Sequence, residues 1–148
     1  MLIQILLGSV LISLTAVVAA LCWWGLEVAL VRSHDWVVRP PHGPKLVILL
    51  SLAMLWSLVT MTVSVWIWAI AFWSLQIFTT FEACVYFSLV AFTTLGFGDI
   101  LLPVKWRLLA GMSAANGLLI FGLLTAMLVE TLRQTRSRQR NRKTLATR

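Results

Sequence analysis

The sequence is poor in charge, and above all in acid. Only 11% of its 148 residues are charged, with 5 Asp and Glu against 12 Lys and Arg. At 60% hydrophobic residues and a mean hydropathy of +0.93, too little polar surface remains to cover so apolar a core in water. An ordinary soluble domain is excluded. Cysteine is nearly absent: Cys22 and Cys84 fall toward opposite faces of the topology derived below, so a disulfide between them is not expected. The two histidines, His34 and His42, flank a proline-rich turn and supply too few ligands for a metal site. No nucleophile, base or metal constellation stands out, so neither an enzyme nor a resident cofactor is expected, and nothing points to nucleic acid.

Long apolar runs are what the chain does have. Leu2 to Val31 is interrupted only by Gln4 and Glu27, and Leu46 to Leu75 carries no charge. A third run, from about Trp106 to Thr131, keeps its charges at its ends. Each exceeds the roughly 20 residues that cross a hydrocarbon core, so three membrane spans are expected. The first run lacks a basic leader and is too long for a cleaved signal peptide, which keeps it in the mature protein. Neither of the first two spans carries the spaced arginines of a voltage sensor.

Cations set the expected orientation. Apart from Lys105 and Arg107, they lie in the first loop (Arg32, Arg39, Lys45) or in the tail (Arg133, Arg136, Arg138, Arg140, Arg142, Lys143, Arg148). The positive-inside rule then places that loop and the C-terminus in the cytoplasm and the N-terminus outside. The loop, "RSHDWVVRPPHGPK", is rich in proline and reads as an irregular connector. The tail reads as a polybasic segment at the inner leaflet, open to anionic lipid, and as less suited to an amphipathic helix because its cations point to all sides.

Between the second and third spans the chain is too apolar for a solvated loop. "FEACVYFSLVAF" has the length of a half-crossing helix, with Glu82 favourably placed near its N-terminus. "TTLGFGD" follows and cannot be regular helix. Non-helical backbone at membrane depth is tolerated only where protein buries it or where it lines a watery path, so a re-entrant geometry implies a pathway. If the carbonyls of Thr94, Leu95, Gly96 and Phe97 are to face one axis, alternate residues must approach left-handed dihedrals. Gly96 and Gly98 are spaced for that. Four such strands would stack rings of oxygens able to replace the hydration shell of an alkali cation, with the Thr94 hydroxyl completing the innermost ring.

At these residues the segment resembles the pore loop of the tetrameric potassium-channel family, whose filter typically reads T-V-G-Y-G-D. Here it reads Thr94-Leu95-Gly96-Phe97-Gly98-Asp99, preceded by Thr93 and the aromatic pair Tyr86-Phe87. The resemblance runs from Leu46 to about Glu130. It implies potassium bound at Thr94, Leu95, Gly96 and Phe97, filter support from Thr93, Tyr86, Phe87 and Val90, and a pore lined by Leu118, Phe121, Thr125 and Val129. It also implies hinge candidates at Gly117 and Gly122 and a homotetramer in a cell membrane, of the compact kind found in bacterial inner membranes. Departures matter too. Leu95 replaces valine, Phe97 replaces tyrosine, and Val90 stands where some members pair a glutamate with the filter aspartate, so Asp99 must find another partner or face water.

Other residues have plainer expectations. Trp23 and Trp24 toward one interface, and Trp73 and Trp106 toward the other, read as aromatic belts. Glu27 reads as an inner-interface residue near Arg32. Asn116 falls nearly opposite the lining face on a helix, so it is expected to hydrogen-bond the outer or pore helix. Gly111, Ala115, Gly122 and Ala126 form a small-residue stripe beside that face, suited to close helix crossing.

The expected fold is therefore an all-α membrane protein of three transmembrane helices plus a re-entrant pore helix and filter loop, N-out and C-in. The expected parts are a first span over 1–31, a cytoplasmic loop over 32–45, a pore domain over 46–131 and a basic tail over 132–148. Within the pore domain the outer helix covers 46–75, the pore helix about 81–93, the filter 94–99 and the inner helix about 104–131. The function expected is passive conduction of potassium. A non-selective cation channel and a non-conducting accessory subunit are the alternatives.

Overall fold

The computed structural model describes residues 1–32 and 42–146. It is helical throughout its regular parts: α1 (Leu2–Arg32), α2 (His42–Ser74), α3 (Phe81–Phe92), a 3-10 turn (Val104–Trp106) and α4 (Arg107–Ala146). Three of these helices are long and apolar enough to cross a membrane, over Leu2–Ala29, Val47–Ser74 and Val104–Gln134, the last span beginning in the 3-10 turn. The protein is a multi-pass membrane protein by this measure.

Two boundaries differ from the sequence expectation. α2 begins at His42, inside the stretch read as loop. Pro44 falls in its first turn, where the amide that proline lacks has no intrahelical acceptor. Arg32 ends α1, and residues 33–41 of that loop, including His34, lie outside the described residues. The second difference is at the other end. The tail stays helical to Ala146, making α4 a 40-residue helix about 60 Å long. Nothing in "RQTRSRQRNRK" stops a helix, since it holds no glycine or proline and its Arg and Gln are good helix formers.

Aromatic rings fix α3 on α2. Phe72 meets Phe87 edge-on at 5.4 Å between ring centroids, Trp68 meets Phe92 at 6.4 Å, and Trp73 meets Phe81 at 5.9 Å. Such pairs contribute about 0.5–1.5 kcal/mol beyond their burial. Several hydroxyls inside the spans are satisfied by their own helices, although the buried Ser113 hydroxyl has no partner among the described residues. Ser57 donates to the Ala53 carbonyl at 2.9 Å, Ser64 to Thr60 at 3.0 Å and Thr131 to Met127 at 2.9 Å.

α1 lies parallel to α4 and antiparallel to α2. The Gln4 side chain donates to the Lys105 carbonyl, Gly8 abuts Met112, and Thr15 pairs with Asn116, so both numberings rise together along the contact. On the other flank, Trp56 Nε1 donates to the Cys22 carbonyl at 2.9 Å. The amino end of α1 therefore shares one end of the bundle with the start of α4.

Candidate functional site

α3 is built to stop where it does. The Thr80 side chain caps its first turn by accepting from the Ala83 amide at 3.3 Å, and Glu82 sits in that turn. At the other end the amides of Thr94 and Leu95 turn back onto the carbonyls of Ala91 and Val90, both at 3.0 Å. This is a Schellman closure, with Thr94 at φ +55° in the position usually held by glycine. α2 ends in the same way, with Gln76 at φ +50°.

Past that closure the chain leaves regular structure. Gly96 has φ +55° and Gly98 φ +79°, so with Thr94 every second residue of the loop is left-handed. The sequence argument required such an alternation. Thr93, Thr94, Leu95, Gly96, Phe97, Gly98 and Asp99 are all exposed in the single chain. Leu95 and Phe97, both apolar, are 56% and 67% exposed.

Tyr86 solves the problem of Asp99. Its hydroxyl donates to Asp99 Oδ2 at 2.7 Å, spanning from α3 to the end of the loop. The Tyr86 hydrogen bond holds the Asp99 carboxyl below the usual carboxylate range, helped by the amides of Asp99 and Ile100 and opposed by partial desolvation. Tyr86 is the chain's one tyrosine. Sequence reasoning grouped it with the loop's supports but gave Asp99 no partner, because no local spacing rule links a helix residue to one 13 positions on. Phe87 is buried among Phe72 and Phe78, and Val90 is buried too, its carbonyl receiving the Leu95 amide.

On α4 the four expected lining residues share one face. Leu118, Phe121, Thr125 and Val129 are all exposed, and the Thr125 hydroxyl donates to the Phe121 carbonyl at 2.8 Å. Gly111, Ala115, Gly122 and Ala126 are exposed beside them, and a Cβ at Gly111 or Gly122 would meet nothing within 4 Å. Gly117 differs sharply. A Cβ there would collide with the Phe92 backbone, at 2.6 Å from its Cα and 2.7 Å from its carbonyl carbon. Close approach to the end of α3 is thus a sufficient reason for glycine at 117. Gly117 lies ten residues into α4, so α3 ends about 15 Å along that helix and the chain returns to its start through residues 93–103.

Asn116 requires a correction. Its amide donates to Thr15 Oγ1 at 2.8 Å, so its partner is on the first span and not on α2 or α3. The helical wheel placed Asn116 away from Leu118, Phe121, Thr125 and Val129 but carried no information on what α1 would cover. Cys22 and Cys84 are free thiols, the latter buried.

Residues 46–134 match the family model described as ion channel, which covers well over half of the chain. The protein belongs to this ion-channel family. α1 lies outside the matched region. No curated protein and no solved structure matches the chain.

Proposed function

We propose that this chain is one subunit of a passive potassium-selective channel, in which four copies surround a path lined by the backbone of Thr94 to Phe97. The observation that carries this reading is the left-handed alternation at Thr94, Gly96 and Gly98 directly after a capped short helix. Alternating hands turn successive carbonyls toward one side of the strand, which is what a ring of oxygen ligands for a dehydrated cation needs. One chain supplies one strand, so the ring closes only in a homotetramer. The exposed Leu95 and Phe97 side chains, together with the exposed faces of α4 around Leu118, Phe121, Thr125 and Val129, fit a subunit whose remaining contacts come from its copies and from the pore.

In this reading α3 is the pore helix, α3 and the loop re-enter the membrane from the outside, and the N-terminus is outside with the tail in the cytoplasm, as the cation distribution requires. The basic tail meets anionic lipid at the inner leaflet of the cell membrane, a bacterial inner membrane in this reading. Potassium is the permeant ion and no cofactor is involved. A channel of this family moves ions down their gradient and is not an enzyme.

The test is the reversal potential of purified protein in liposomes under asymmetric potassium and sodium, with subunit number fixed by cross-linking. Cross-linking that stops at four and a reversal potential near the potassium equilibrium value are expected. Equal permeability to both ions replaces the reading with a non-selective cation channel. An assembled tetramer passing neither ion replaces it with an accessory subunit.

A further inference from the structure

We propose that Thr15, on the span outside the matched channel region, is a positioning residue for the loop Thr93–Gly98, acting through Asn116 and Gly117. The proposal rests on the channel reading for its consequence on conduction, and on geometry alone for its mechanism.

Thr15 and Asn116 are fully enclosed, at 0% and 1% exposure. The Thr15 hydroxyl has one proton. It donates to the Ile12 carbonyl at 2.9 Å, which leaves its oxygen to accept from Asn116 Nδ2 at 2.8 Å, and Asn116 Oδ1 lies 3.2 Å from the same hydroxyl. In an apolar bundle, where helices associate chiefly by van der Waals packing, this is a directional tie between the two surfaces. Gln4 at the Lys105 carbonyl and Gly8 against Met112 hold the same two helices in the same register nearer the amino end of α1.

The next residue on α4 is Gly117, turned about 100° from Asn116. It faces the Phe92 backbone, with no room for even a methyl group. Phe92 ends α3 and is followed directly by the amides of Thr93, Thr94 and Leu95, which close that helix on Leu89, Ala91 and Val90, each at 3.0 Å. Rotation of α4 by 10° moves a Cα about 0.4 Å on its 2.3 Å cylinder, which here presses into Phe92 or opens a gap beside it. The hydrogen bond to Thr15 sets that rotation. α1 thereby fixes the seat from which the left-handed loop departs.

The experiment uses the full-length protein in lipid, with Thr15→Val, Thr15→Ser, Asn116→Leu and the double variant Thr15→Val/Asn116→Leu. Subunit number, hydrogen exchange of the peptide holding Thr93–Leu95, and the potassium-to-sodium permeability ratio are read on each. A single intramembrane hydrogen bond corresponds to about a threefold change in an equilibrium. Thr15→Val should assemble normally, exchange those amides at least about threefold faster and change the permeability ratio, and Thr15→Ser should restore both. The double variant leaves no polar group unpaired, so it should assemble like the unmodified protein yet keep the fast exchange. Unmodified exchange in an assembled double variant gives the bond a purely structural role and overturns the proposal. Because exchange is read without conduction, an unmodified protein that passes no ion refutes the channel reading while the exchange comparison still decides the role of Thr15.

Discussion

The Tyr86 hydroxyl donates to Asp99 Oδ2 at 2.7 Å, tying the middle of α3 to the far end of the loop it precedes. With the Schellman closure at Thr94 and Leu95, this bond holds the loop at both ends. The stretch between those two ties runs from Gly96 to Gly98.

The first prediction concerns pH. The folded Asp99 carboxyl titrates below its ordinary value, chiefly because Tyr86 donates to it. A lowered folded pKa means the link contributes above the unfolded carboxyl pKa and is lost as pH falls through the lowered value. Conduction should therefore hold from neutrality through the ordinary carboxylate range and decline only below it. In Tyr86→Phe the decline should start at higher pH, with shorter openings at neutrality. Identical profiles of current against pH on the Asp99 side for the two proteins would remove the link from the argument.

Gly117 and Gly122 should respond in opposite ways to alanine. At 117 the added methyl meets the Phe92 backbone, an overpacking that costs about 1–3 kcal/mol. At 122 it meets nothing within the chain. Thermal unfolding in detergent should show Gly117→Ala destabilised, while Gly122→Ala should change only the association between subunits, read by cross-linking. Equal thermal losses at both sites would mean that Gly117 is not set by its contact with Phe92.

The loop itself makes two demands. Gly96→Ala places a side chain at φ +55°, a conformation costing about 1–2 kcal/mol for an L-residue, and should abolish selective conduction in an assembled protein. Phe97→Tyr and Leu95→Val move the other way. They introduce the hydroxyl and the smaller side chain of the T-V-G-Y-G-D sequence that this loop resembles, and the potassium-to-sodium permeability ratio or the open time should rise. A ratio and an open time both unmoved by these two changes would show that the supports behind the carbonyls do not govern selectivity here.

Removing the chain after Arg133 tests the tail. Each Lys or Arg near an anionic surface contributes about 1 kcal/mol, screened by salt. The truncated protein should lose dependence of its activity on anionic lipid and keep its permeability ratio. Lipid dependence that survives truncation would leave the tail as a topological signal only.

Much of the molecule was legible without coordinates because the bilayer imposes strong patterns. Long uncharged runs must be helices, which located α1, α2 and the membrane part of α4. Glycines two apart after a short apolar helix called for alternate left-handed residues, and the φ values at Gly96 and Gly98 meet that demand. The resemblance named Leu118, Phe121, Thr125 and Val129, and helical periodicity then put Asn116 on another face. These are properties of one helix or one loop, and the local sequence determines them.

Which surfaces meet was decided by the tertiary structure. Asn116 was directed to α2 or α3, yet it bonds Thr15 on a helix 101 positions earlier in sequence. Asp99 was left without a partner, yet Tyr86 supplies one. Gly117 was named as a hinge candidate, and only the packed structure shows that the Phe92 backbone leaves no room for a Cβ there. The common reason is that spans that are apolar all round carry no periodic signal for the face they bury. Their register is set by a few hydrogen bonds and close backbone approaches, and those exist only once the helices are packed.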